Sequence, residues 1–137
     1  MKEPRSRPHA DSLLLTANSL ELRAWSFELR AATFLMDRIA MLTEILGQNP
    51  EDAFARYGLA MEYSKAGDIE RALQEFKALL EKHPDYTVGY FMAAQMLASA
   101  DRTAEAKQWL VDGIASAVRT GNQHAQSEMT AMMEELK

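Results

Sequence analysis

Apolar side chains recur at helical spacing along most of this chain. Ile39, Leu42, Ile45 and Leu46 fall three and four residues apart before Gly47 and Pro50 interrupt the pattern, which predicts a helix ending at Gly47. A second helix is expected over Glu51–Ala66, with Pro50 at its first turn and acidic residues after it. Proline lacks the donor that a helix start would leave orphaned, and carboxylates suit the positive dipole end. Gly67 is a natural stop and Asp68 a natural N-cap for a third helix, Ile69–Lys82. Further helices are expected over Tyr86–Ser99, Thr103–Arg119 and Gln123–Leu136, with Asp101 or Thr103 capping the second of these and Gly121-Asn122 turning the chain into the last. The connections are short, so successive helices must run antiparallel.

Upstream of Met36 the pattern is less regular. Ser12 to Leu35 contains Leu20, Leu22, Trp25, Phe27, Leu29 and Phe34 with no Gly or Pro, so a helix is the default, although some of these residues alternate as a strand would. Residues 1–11 hold two prolines and four charged residues before Asp11, and are expected to form a disordered tail. Two readings of segment 12–35 stand: an N-terminal extension upstream of a domain that begins near Met36, or a helix packing over Ile39, Leu42 and Leu46.

The pattern repeats. Asn49-Pro50-Glu51-Asp52 returns in altered form as His83-Pro84-Asp85, and the two prolines are 34 residues apart. Each proline opens a stretch that reads as two amphipathic helices. Leu59-Ala60, Tyr63, Gly67, Ala72, Phe76 and Pro84 are followed one period later by Tyr90, Ala93-Ala94, Leu97, Ala106 and Leu110. On these residues the chain resembles the tetratricopeptide repeat (TPR) family, whose unit carries an aromatic, a small pair and Tyr in its first helix. Its second helix carries Ala, an aromatic and a small residue, and proline follows. Ala60, Ala72, Ala94 and Ala106 would then sit where helices cross. Arg56 stands in place of the first aromatic, Leu79 in place of a small residue and Asp101 in place of a turn glycine, and the second repeat reaches Val118 without its proline.

The resemblance implies an all-α fold, a short right-handed superhelix of antiparallel helix pairs. It comprises a half repeat over 36–48, repeats over 50–83 and 84–120, and a capping helix over 122–136. That last helix sets Met129, Met132, Met133 and Leu136 against Gln126, Glu128, Glu134 and Glu135, the profile of a cap. The resemblance also implies a non-catalytic adaptor whose first helices line a concave groove for a peptide or protein segment. Phe54, Tyr57, Met61 and Lys65 from the first repeat and Val88, Phe91 and Gln95 from the second are the candidate groove residues, with Tyr57 and Phe91 alternatively packed as core. Lys65 is the sole cation among them, which argues against a clamp for a terminal carboxylate. An aromatic and methionine-lined groove suits an amphipathic helix or an extended apolar segment. The alternative is a structural module that self-associates as a homodimer through segment 13–46, without a peptide ligand.

Composition excludes more than it adds. The 137 residues are 47% hydrophobic and 26% charged, which suits one packed domain. A net charge of −5 disfavours nucleic acid as a partner. No cysteine is present, which removes thiol nucleophiles and thiolate metal sites and is compatible with a cytoplasmic setting. No apolar run reaches the ~18 residues of a membrane span, and the short run Leu13-Leu14-Leu15 behind Lys2, Arg5 and Arg7 is a poor signal peptide. His9, His83 and His124 have no carboxylate cluster around them; His124 and Glu128 read as a solvated helical pair rather than metal ligands. Ser64, Ser99 and Ser116 lack a nucleophile elbow, so neither catalysis, metal nor cofactor is expected.

Overall fold

From Pro8 to Gly47 nothing in the sequence except Pro8 itself, at the first turn, opposes a helix. In the computed structural model, which describes residues 8–136 and their side chains from residue 21, one helix, α1, spans Pro8–Gln48. It begins inside the tail expected over 1–11 and runs unbroken past Met36; residues 1–7 lie outside the described residues. Five more helices follow, α2 (Ala53–Lys65), α3 (Ile69–Lys82), α4 (Thr87–Ser99), α5 (Thr103–Thr120) and α6 (Gln123–Glu135), and the described residues contain no strand. The chain divides into two compact units, Met1–Asp37 and Arg38–Lys137.

Local chemistry sets the boundaries. The Asp52 side chain accepts from the Ala55 backbone N–H, so α2 begins at Ala53 and Pro50 lies in the preceding turn rather than in the helix. Asp68 caps α3 by accepting from Arg71 N–H, and Asn122 caps α6 by accepting from Ala125 N–H. Neither Asp101 nor Thr103 caps α5. Its N-cap is Arg102, which makes no side-chain cap bond, and Asp101 takes a φ of 60°, the left-handed turn conformation the family usually gives to glycine. Gly67 (φ 78°) and Gly121 (φ 68°) end α2 and α5 in that same conformation.

Within the second unit the core is layered along the chain. Leu42 and Leu46 of α1 pack with Ala55 and Leu59 of α2. Ala60, Ala72, Phe76, Ala93, Leu97 and Ala106 form a middle layer, and Leu79, Leu80, Tyr90, Ala94, Leu110, Ala117 and Met129 a further one. Ala60, Ala72, Ala94 and Ala106 are fully buried, as expected of residues at helix crossings. Met129 closes the last layer, with Met132, Met133 and Leu136 half-buried against it.

Two departures from the repeat pattern are compensated by their neighbours. Arg56 bonds Glu75 on α3 at 2.8 Å, an ion pair where an aromatic contact is usual. Leu79, too large for its place, is fully buried where Gly89 of α4 carries no side chain; a Cβ there would lie 3.2 Å from Leu79. The second repeat has the opposite solution. Gly113 stands at the position equivalent to Leu79, and a Cβ on it would come within 2.6 Å of the Met129 sulfur and 2.7 Å of Tyr90 Cβ.

Polar links tie the start of each repeat to its end, and one, from Arg102 to Glu70, crosses between repeats. Lys82 Nζ donates to Glu51 at 2.9 Å and the His83 ring meets the Glu51 carbonyl at 3.1 Å. Arg102 bridges Glu70 and Glu105, and Arg119 donates to the Pro84 carbonyl and Asp85. Among the described residues three polar side chains are buried: the Thr87 and Ser116 hydroxyls bond each other at 2.9 Å, and the Glu62 carboxylate is held by Arg38 at 2.8 Å with Lys65 at 3.8 Å.

Candidate binding surface

α2 and α4 each run antiparallel to α3, so they point the same way and their C-terminal turns adjoin. The candidate residues advance along both helices in steps of three and four: Phe54, Tyr57, Met61 and Lys65 on α2, and Val88, Phe91 and Gln95 on α4. The structure divides them by depth. Phe54 is 76% and Val88 44% exposed, and Lys65 and Gln95 are exposed as well. Met61 and Phe91 are half-buried, the first against the Phe76 layer, the second against the Leu79 layer.

Tyr57 is drawn furthest inward. Its ring packs edge-on against Phe76 (centroids 6.5 Å apart) and lies 5.5 Å from the Tyr86 ring, so it touches both core layers. Burial, with Tyr86 adding to it, pushes its phenol pKa up. Tyr57 is therefore chiefly an interhelical packing residue that shows one edge to the surface.

Three clefts lie around these helices. One of about 390 Å³ is formed where the ends of α2 and α4 meet, lined by Ser64, Ile69, Met92, Gln95 and Ser99 among others. Of the seven candidates only Gln95 reaches it. Val88 lines a different, shallow cleft with Tyr86, Thr120 and Asn122. The third, about 340 Å³, lies between α3 and α5 and is lined by Lys77, Leu80, Tyr90, Trp109 and Asp112. Sequence reasoning missed Ser64, Met92 and Ser99. Their signal is present, since Met92, Gln95 and Ser99 are spaced three and four apart on α4, but serines draw attention first as nucleophiles.

The surface is graded along the helix axes. Its N-terminal end presents Phe54, Val88 and part of Phe91; its C-terminal end presents Ser64, Lys65, Gln95 and Ser99. Lys65 lies near the Glu62 carboxylate, so its charge is partly offset. The described residues contain no group of three or more metal-ligating side chains, and His124 meets Glu128 at 3.1 Å on an exposed face of α6. No described helix is long and apolar enough to cross a membrane.

Antiparallel helix pairs, repeating every 34 residues and layered around small residues at the crossings, define a helical-repeat protein. The chain belongs to the tetratricopeptide repeat family: the family model matches residues 39–86 and 63–126. A TPR repeat-containing protein of Pseudomonas aeruginosa is 32% identical over 95 residues, 69% of this chain and 90% of that protein. The solution structure of a tetratricopeptide repeat domain protein from Salinibacter ruber is 35% identical, superposes with a TM-score of 0.60, and matches 65% of this chain and 90% of its own. The type III secretion chaperone SycD of Yersinia enterocolitica, solved with a peptide of the translocator YopD, has a TM-score of 0.66 at 17% identity, over 87% of this chain and 92% of that one. At that identity the likeness speaks for the fold.

Proposed function

We propose that this protein is a non-catalytic adaptor that holds a peptide or protein segment across the α2–α4 face. The observation that carries the reading is the graded surface: an exposed aromatic and a valine at one end, and at the other a cleft whose apolar wall of Ile69 and Met92 carries the polar groups of Ser64, Gln95 and Ser99. An occupant that fits it lays an apolar side chain against Phe54 and Val88 and offers hydrogen-bonding groups to Ser64, Gln95 and Ser99. Its own backbone amides serve as well as side chains for the polar end. The shortage of cations leaves a terminal carboxylate poorly served. SycD shows that this fold can carry a translocator peptide; the present chain's partner is defined by its surface instead.

The test is affinity capture from the source cell with the unaltered chain, Phe54→Ala and Gln95→Ala, quantified by mass spectrometry. Both residues are exposed, so both variants fold normally. A protein recovered by the parent chain and depleted several-fold by both variants supports the reading. Equal recovery by all three removes the α2–α4 face as the site.

A further inference from the structure

In the first unit, α1 carries an apolar seam with nothing described against it. Leu22, Trp25, Leu29, Ala32 and Met36 follow steps of three, four, three and four. That is the a/d register of a coiled coil, which keeps five side chains on one line of the helix. The four large ones are 65%, 66%, 57% and 68% exposed in chain order. Leu15 and Asn18 occupy the preceding positions of the same register in sequence.

We propose that this seam pairs with the same seam of a second copy of this chain, as a parallel two-helix interface. Area supports it. Four large side chains about two-thirds exposed present roughly 500 Å² per copy, or about 1,000 Å² for a pair, which is where specific interfaces begin. Charge selects the arrangement. Glu21 and Glu28 border one edge of the seam, while Ser26 and Thr33 border the other with Arg23 and Arg30 behind them. A parallel pair sets each acidic edge beside the partner's neutral and basic edge; an antiparallel pair sets the acidic edge against itself. A membrane surface is a poorer occupant, because an interfacial helix needs a basic polar face and this one alternates Glu with Arg in a chain of net charge −5. The pairing is independent of the α2–α4 face and stands whether or not that face holds a peptide.

Light scattering on the full chain, eluted over a dilution series, reads the pairing directly. The expected mass is twice the 15.4 kDa of one chain, falling toward it on dilution. Trp25→Glu and Leu29→Glu give a monomer with unchanged far-ultraviolet dichroism, while Phe27→Glu, on the opposite side of α1, leaves the pairing intact. A chain monomeric at all concentrations, or a dimer that survives both seam variants, overturns the proposal. The chain has no cysteine, so Leu22→Cys and Met36→Cys report polarity cleanly. Each variant forms a disulfide with its own copy in a parallel pair. A mixture of the two that yields only the crossed disulfide, joining position 22 of one variant to position 36 of the other, overturns the parallel arrangement.

Discussion

Gly113 and Glu62 show how single residues carry this stack. Gly113 lets α5 approach α4 and α6 so closely that one added carbon has no space. Gly113→Ala should cost about 1–3 kcal/mol through overpacking, visible as a drop of several degrees in the thermal midpoint. Gly47, whose Cβ would meet nothing within 4 Å, is the control: Gly47→Ala should be neutral or slightly stabilising in the same melt. Glu62 is 3% exposed and depends on Arg38. Arg38→Met should destabilise by about 2 kcal/mol, and adding Glu62→Gln should recover much of that, since the penalty lies in the uncompensated carboxylate. A double-mutant cycle by urea unfolding measures the coupling. Of the candidate surface residues, Tyr57→Ala should lower stability by roughly 2 kcal/mol while Phe54→Ala changes it by less than about 0.5 kcal/mol, the difference between a packed ring and an exposed one.

At the scale of elements, helix existence was legible and the ends less so. Gly67, Asp68 and Gly121 each do at the boundary what their side chains or backbones permit, so α3 and the end of α5 lie where the pattern put them. Pro50 misled because Asp52, two residues on, is the better cap, and Asp101 misled because an aspartate can take the left-handed turn that the repeat otherwise assigns to glycine. The apparent break at Met36 was a change in what the helix faces, not in the helix. Two apolar lines on α1, one through Trp25 and one through Phe27, blur any single period. The candidate surface was half legible. Spacing placed Phe54, Met61, Phe91 and Gln95 on one side of their helices, but spacing alone cannot say that Tyr57, at the margin of that side, turns toward Phe76 and Tyr86. Two of the surface ion pairs predict a pH response. Lys82 lowers the Glu51 pKa by hydrogen bond and charge, and Arg102 lowers that of Glu105. Groups with depressed folded pKa values stabilise above the unfolded value and lose that contribution below it. The thermal midpoint should therefore fall as pH drops below 4.5, and less steeply in high salt, where these exposed pairs are screened.

For the whole molecule, the two proposals assign different faces: a seam on α1 to a second copy and the graded α2–α4 surface to a different protein. If both are used, a dimer presents two such surfaces, and a partner with two matching segments gains by avidity. Site-specific photocrosslinking in the source cell tests the α2–α4 face most directly, with a photoreactive residue placed at Phe54, at Gln95 and, as a control on α5, at the exposed Val111. One and the same protein adduct is expected at positions 54 and 95 and none at 111. Adducts at all three positions alike, or at 111 alone, would contradict that assignment.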